Sequence, residues 1–240
     1  MEIKMGGILK STWEMLHDGR FLKKALMIAC PVALQGMLNT IVNMVDTLMI
    51  GGLGSTAIAA VGLANKVFFV FSLLVFGIVS GGGILAAQFW GSGDVKNIRK
   101  VLGLCVMLAM VGAMFFVVPA LTAPRMVMRI FTTSEGSIEL GAKYLRIAAL
   151  SYPFIALTNV YVAMLRATNK VVFPVICSCI AIVVNICLNY VLIFGKLGAP
   201  AMGVAGAACA TLIARCIELI LVLGYVYGKK LALACGPRGM

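Results

Sequence analysis

Six long apolar segments, separated by short polar stretches, dominate this chain of 240 residues. Each is close to, or longer than, the roughly 20 residues that an α-helix needs to cross a bilayer. A helix is expected because it pairs every backbone N–H and C=O group within the segment, where no water is available. The pattern therefore predicts an all-α membrane protein with six transmembrane helices between residues 25 and 228. We place them at about residues 25–50, 57–89, 101–119, 138–165, 171–194 and 203–227.

The composition of the chain indicates the same class of protein. Hydrophobic residues make up 62% and charged residues 12% of the chain, and the mean hydropathy is +1.07. Soluble domains are about 45–50% apolar and about 25% charged, which excludes a soluble enzyme. The sequence also lacks paired acids, a histidine cluster and a nucleophile motif in its apolar segments, so we expect neither an enzyme nor a cofactor.

The net charge of +12 reflects 20 Lys and Arg residues, most of which lie in the polar stretches before, between and after the apolar segments. With the six segments above, 13 of these 20 residues lie on the side of the N-terminus and six on the opposite side. The positive-inside rule then predicts a multi-pass protein of the plasma membrane with both termini in the cytoplasm. Residues 1–24 are the predicted cytoplasmic N-terminal segment, and residues 229–240 are the predicted cytoplasmic tail.

The first apolar segment carries four polar side chains that share one face of a helix. Gln35, Asn39, Asn43 and Asp46 are separated by four, four and three residues, which places them within a narrow arc at 100° per residue. A carboxylate inside a membrane is costly unless it is paired or hydrated. This stripe therefore predicts a face turned towards an aqueous cavity, with interhelical hydrogen bonding as the alternative.

Other segments place oxygen-bearing side chains at a depth similar to that of Asp46. This follows from the direction in which each predicted helix crosses the membrane and from its rise per residue. Carboxylate, amide and hydroxyl oxygens suit a hard cation or a shared proton. The set consists of Asp46, Tyr144, Asn185, Asn189 and Thr211.

Arg215 and Glu218 form a charged pair three residues apart within the sixth segment. Two interpretations stay open. The pair neutralises itself within one helix, or Arg215 moves from Glu218 to Asp46 when Asp46 ionises and acts as a charge relay.

Several strings resemble the multidrug and toxic compound extrusion (MATE) transporters in their order and spacing. The first predicted hairpin carries NMVDTLMIGGLG at residues 43–54 and AAVGL at residues 59–63. QFWG closes the second segment, YLRI opens the fourth and LRA closes it, at residues 88–91, 144–147 and 165–167. An Asn-x-x-x-Asn pair at 185–189 and GVAGAACAT at 203–211 complete the pattern.

The resemblance implies an antiporter that expels organic cations in exchange for Na⁺ or H⁺. It also implies that this chain corresponds to one of two six-helix lobes, the N-terminal one, so that we expect a fragment or one half of an assembly. The partner would be a C-terminal six-helix lobe or a second copy of the chain. The family's cation site falls on Asp46, Tyr144, Asn185, Asn189 and Thr211, with Asn189 in place of an aspartate that some members carry, which leaves the choice of ion open.

Two other functions stay open on the sequence alone. One is a non-transporting membrane subunit, and the other is a lipid-linked oligosaccharide flippase of the same superfamily. A flippase would need a cavity rich in Arg and Lys, whereas Gln35, Asn39 and Asn43 supply amides to the predicted substrate cavity. Apart from a possible Na⁺ ion, we expect no metal.

Overall fold

A computed structural model describes residues 19–196, 198, 200–229, 231, 233 and 234, and these residues form helices joined by short turns. Residues 1–18 and most of the predicted tail lie outside the described residues. The described part of the first helix begins at residue 19, six residues before the predicted boundary. In chain order the helices are α1 (Gly19–Gly51), α2 (Ser55–Gly91), α3 (Val95–Thr122), α4 (Pro124–Arg129), α5 (Glu135–Ala148), α6 (Tyr152–Ala167), α7 (Val172–Phe194) and α8 (Val204–Gly228).

Five helical stretches in the described part of the chain are long and apolar enough to cross a membrane. They confirm an all-helical protein with several candidate membrane spans, but the predicted number of six is not confirmed. The first predicted span corresponds to α1, which is 33 residues long and is not one of the five. The five are Ser55–Gly91, Val95–Thr122, Glu135–Ala167, Val172–Phe194 and Val204–Gly228.

The fourth predicted segment is broken in the middle. Its two helices, α5 and α6, are joined by a single 3₁₀ turn, Ala149–Ser151. Pro153 lies in the first turn of α6. A proline has no backbone N–H and its ring collides with the carbonyl four residues earlier, so it kinks or breaks an α-helix at that point.

Small residues lie where the helices meet, and large apolar side chains cover the outside. A Cβ added to Gly206 in α8 would lie 2.5 Å from the backbone oxygen of Leu192 in α7. A Cβ added to Gly82 in α2 would collide with Cys105 Sγ in α3. Membrane helices pack in this way because small residues let their backbones approach closely. The exposed apolar stripe of α1 consists of Met27, Leu34, Met37, Ile41, Met44 and Leu48.

The packing brings the polar ends of several helices together. α1 packs against α7, α7 packs along α8, and α5 contacts both α2 and α8. An apolar cluster that includes Ile50, Val61 and Ile193 joins these helices at one end, with Tyr144 packed against it. This arrangement gathers the polar residues of α1, α5, α7 and α8 at one level.

Candidate cation site

Four of the five predicted cation-site residues form one hydrogen-bonded chain across α1, α7 and α8. Asn189 Nδ2 donates to Asp46 Oδ1 at 2.5 Å and to Asn185 Oδ1 at 3.2 Å. Asn185 Nδ2 donates to Thr211 Oγ1 at 3.4 Å, and Thr211 Oγ1 donates to the carbonyl oxygen of Ala207 at 3.1 Å. The side chains with similar predicted depth therefore meet, while their role as cation ligands stays a prediction.

Helical spacing explains how α7 supplies two members of this chain. Asn185 and Asn189 lie one turn apart on the face of α7 that packs against α1 and α8, and both are buried, at 6% and 1% exposure. Asp46 is half-buried, and its second oxygen, Oδ2, accepts no hydrogen bond from any residue that the structure describes. The carboxylate thus has one oxygen bound to the protein and one available to a ligand.

Asn189 has a buried oxygen that lacks a partner. Its Oδ1 is inaccessible and accepts no hydrogen bond within the described part of the chain. Turning the amide over would bring this oxygen against Asp46 Oδ1 and Asn185 Oδ1, which are acceptors, so the observed orientation is the favourable one. A buried acceptor without a partner costs about 1–3 kcal/mol.

A cavity of about 360 Å³ opens beside this chain of hydrogen bonds, and we call it the Asp46 cavity. Asp46, Asn185 and Thr211 lie on its wall, as does Tyr144. The hydroxyl of Tyr144 makes no hydrogen bond to any of the other four predicted ligands. Tyr144 therefore shares the cavity with the predicted site but is not part of its hydrogen-bonded chain.

The Asp46 cavity also has polar residues that our sequence analysis missed. Asn65 and Ser72 of α2 line it together with Phe68 and Phe69. Asn65 and Ser72 are seven residues apart, which is two helical turns, so their spacing within an apolar segment was a usable signal. Phe71, from the same helix, stacks on Tyr152 of the cavity wall at a ring-centroid distance of 4.6 Å.

The predicted amide stripe of α1 divides between two places. Asn43 lines the Asp46 cavity, whereas Gln35 does not. The side chain of Asn39 lies outside the described residues. Gln35 and Asp46 are 11 residues apart, which is about 16 Å along a helix. The predicted substrate-cavity role of all three amides stays a prediction.

Gln35 belongs to a separate polar network. Arg166 Nη2 donates to Gln35 Oε1 at 2.6 Å, Gln35 Nε2 donates to Ser178 Oγ at 2.6 Å, and Ser178 Oγ donates to Glu218 Oε1 at 2.7 Å. These residues line a second cavity, of about 250 Å³. The network connects α1, α6, α7 and α8 about three helical turns from Asp46, towards the N-terminus of α1.

Arg215 and Glu218 form the predicted ion pair, with Arg215 Nη1 2.7 Å from Glu218 Oε2. Glu218 is buried, while 35% of the Arg215 side chain is exposed. Arg215 lines both cavities, so it stands between the predicted cation site and the Gln35 network. The pairing fits self-neutralisation within α8, and movement of Arg215 towards Asp46 stays a prediction.

Comparison with known proteins decides the family. The MatE family model matches residues 31–191, about two thirds of the chain. The chain belongs to the MatE family. This confirms the resemblance found in the sequence strings, and the matched region contains most of α1, most of α7 and all of the helices between them.

Curated members of the MatE family resemble the chain along most of its length. "Probable multidrug resistance protein NorM" of Thermotoga maritima is 32% identical over 210 residues, which cover 87% of this chain and 45% of that protein. "Probable multidrug resistance protein YoeA" of Bacillus subtilis is 30% identical over 209 residues, covering 83% of this chain and 43% of that protein. The chain thus spans less than half the length of these MatE relatives.

Solved MatE structures share the fold. One, described as the outward-facing conformation of a multidrug resistance MATE family transporter of the MOP superfamily, gives a TM-score of 0.80 at 23% identity, over 89% of this chain and 47% of that one. The corresponding inward-facing conformation gives 0.72, over 83% of this chain and 46% of that one. These likenesses show that the described helices adopt the arrangement of about half of a MatE transporter.

Proposed function

We propose that this chain is the N-terminal half of a secondary active multidrug efflux antiporter that exports organic cations in exchange for Na⁺ or H⁺. It would lie in the plasma membrane with six spans, α1 being the first, and with both termini in the cytoplasm. The multidrug names of the relatives NorM and YoeA support the cargo class. The excess of Lys and Arg on the N-terminal side supports the orientation.

The observation that carries the proposal is the position of Asp46 on the wall of a cavity within a membrane lobe. One carboxylate oxygen is held by Asn189, and the other accepts no hydrogen bond among the described residues. Thr211 and Asn185 add oxygens from a neighbouring helix and from the same helix as Asn189. These are hard oxygen ligands, which suit Na⁺, and the free carboxylate oxygen suits a proton equally well.

The presence of a single carboxylate also explains why the binding of Na⁺ or H⁺ would be coupled to the release of an organic cation. In the low-dielectric interior, one negative charge neutralises one monovalent cation, so Na⁺ or H⁺ at Asp46 weakens the binding of an organic cation in the same cavity. The charged residues on that wall are Asp46 and Arg215, and Arg215 is already paired with Glu218, so Asp46 is the charge that lacks a counter-ion. This lining supports cationic cargo, and it differs from the Arg- and Lys-rich lining expected of an oligosaccharide flippase.

Transport would require a second lobe. The chain spans 45% of the NorM relative, and alternating access is a rocking of two bodies around a site at their interface. We propose a C-terminal six-helix lobe as the partner, with a second copy of this chain as the other candidate. Reconstituted alone in liposomes, the chain should give no gradient-driven uptake of an organic cation such as ethidium. Transport by the chain alone, as a dimer, would contradict the need for a C-terminal lobe.

The cation site is testable without transport. The purified chain is melted in sodium gluconate and in potassium gluconate of equal ionic strength. At ten times the dissociation constant, Na⁺ should raise the Tm by about 3–6 °C. Asp46→Asn keeps the shape of the side chain and removes its charge, so this rise should disappear. Glu139→Gln, which removes an exposed carboxylate paired with Lys143, is the matched control and should keep it.

A proton-coupled site would respond differently. Ethidium binding to the chain in weakly buffered solution would release a proton, measurable with a pH dye, and Asp46→Asn would abolish the release. If neither the Na⁺-dependent rise in Tm nor the proton release depends on Asp46, the carboxylate is structural and the proposed coupling is wrong.

A further inference from the structure

We propose that the second cavity, lined by Gln35, Thr158, Arg166, Ser178, Arg215 and Glu218, binds a small monovalent anion such as chloride. Its charged residues are two guanidinium groups and one carboxylate, so its wall carries a net charge of +1. Such an imbalance is unfavourable inside a membrane protein unless a counter-ion or water compensates it. A small anion would neutralise the wall.

The carboxylate in this cavity already has its partners. Glu218 Oε1 accepts from Ser178, and Glu218 Oε2 accepts from Arg215. Arg166, by contrast, donates to the neutral amide of Gln35 and forms no ion pair with any residue that the structure describes. The positive charge that lacks a counter-ion is therefore that of Arg166.

The two guanidinium groups have N–H donors that make no hydrogen bond among the described residues. An arginine has five N–H groups in a planar fork. Arg166 and Arg215 each use one of them in a hydrogen bond to a side chain among the described residues, Gln35 and Glu218 respectively. Guanidinium groups with several free N–H donors on the wall of a cavity are well suited to hold an anion.

Thr158 supplies an independent observation. Thr158 lies on the wall of the same cavity, and its buried hydroxyl has no hydrogen-bond partner among the described residues. Other threonines of the lobe, such as Thr122 and Thr168, donate to a carbonyl of their own helix. A buried hydroxyl left free is costly, and an anion in the cavity would accept its proton in a hydrogen bond.

Helix electrostatics accounts for only part of this arrangement. Arg166 lies in the last turn of α6, where the partial negative charge of the helix end favours a cation. That effect would also operate if Arg166 pointed into water. It explains neither the hydrogen bond from Arg166 to Gln35 nor the unpartnered hydroxyl of Thr158 on the same wall.

The size of the second cavity limits the class of ligand. A volume of about 250 Å³ holds a monatomic anion with several water molecules. The second cavity is distinct from the cation site, because none of Asp46, Asn185, Asn189 and Thr211 lines it, although Arg215 lies on the walls of both cavities. Anion binding would therefore not depend on the proposed transport of cations, and the two proposals can fail independently.

The test is a thermal melt of the purified chain in a non-ionic detergent at constant Na⁺ and ionic strength, with chloride replacing gluconate. At ten times the dissociation constant, chloride should raise the Tm by about 3–6 °C. Arg166→Gln should raise the half-effective chloride concentration by at least about tenfold, and Thr158→Val by about threefold. Asp46→Asn should keep the full response to chloride.

Matched control variants distinguish chloride binding in the second cavity from the general effect of removing a positive charge or a hydroxyl. Lys143→Gln removes an exposed cation, and Thr122→Val removes a hydroxyl that bonds to its own helix; both should respond to chloride as the unaltered chain does. In gluconate, Thr158→Val should be at least as stable as the unaltered chain, because valine has the same shape and leaves no unpartnered hydroxyl. Line broadening of the ³⁵Cl resonance should decrease in Arg166→Gln.

Three results would overturn the proposal. One is identical melting in chloride and gluconate with no ³⁵Cl broadening, which would mean that water fills the cavity. Another is an equal chloride response in Arg166→Gln and in the unaltered chain. The third is stabilisation by phosphatidylglycerol alone, without any response to chloride, which would make the ligand a lipid headgroup.

Discussion

The contact between α7 and α8 at Gly206 gives a sharp test of how packing sets the cation site. A Cβ added to Gly206 would lie 2.5 Å from Leu192 O and 2.7 Å from Leu192 C, whereas ordinary contacts begin at 3.4 Å. Because both atoms belong to the backbone of α7, a side-chain rotation cannot relieve the overlap. Gly206→Ala should therefore move the two helices apart by up to about 0.9 Å, the difference between 3.4 and 2.5 Å.

The expected cost follows from two opposing effects. Overpacking of this kind costs about 1–3 kcal/mol, while alanine favours a helix over glycine by about 1 kcal/mol. We expect a net loss of up to about 2 kcal/mol in the free energy of unfolding, or up to about 8 °C in Tm. The matched control is Gly224→Ala in the same helix, where an added Cβ meets nothing within 4 Å. This control should be neutral or stabilising.

The same substitution should loosen the site. Thr211 lies five residues after Gly206, and the hydrogen bond from Asn185 Nδ2 to Thr211 Oγ1 is already 3.4 Å long. A displacement of several tenths of an ångström would break it, so Gly206→Ala should also weaken the Na⁺-dependent or ethidium-dependent response of the chain. The reasoning is refuted if Gly206→Ala melts at the same temperature as Gly224→Ala.

Two further predictions concern the buried charges and the topology. Glu218→Gln should lower the free energy of unfolding by about 2–4 kcal/mol, since it leaves Arg215 without its counter-charge and weakens the hydrogen bond from Ser178. The exposed Glu139→Gln should leave the Tm unchanged. Equal melting temperatures of the two variants would contradict the importance of the buried ion pair. In a background without native cysteines, Lys196→Cys should react with an impermeant thiol reagent added outside the cell and Lys96→Cys should not, so labelling of Lys96→Cys from outside would reverse the proposed orientation.

The sequence alone determined that long apolar helices form, and it predicted which polar residues lie at similar heights along them. Hydropathy is a local property of a segment, and the rise of 1.5 Å per residue converts sequence position into height in the membrane. That is why Asp46, Tyr144, Asn185, Asn189 and Thr211 were predicted to lie at one level before any contact was known.

The tertiary structure alone decided which of those residues bond and which face another cavity. Contacts depend on how far each helix is rotated and how closely it approaches its neighbours. Packing contacts between helices, such as that of Gly206 with the backbone of Leu192, set both. Packing turned the Asn189 amide towards Asp46 and left its oxygen without a partner. It also joined Gln35 to Arg166, 131 residues away, rather than placing Gln35 on the Asp46 cavity. Gln35 and Asp46 share one helical stripe, but they are about 16 Å apart along the helix axis and therefore meet different neighbours.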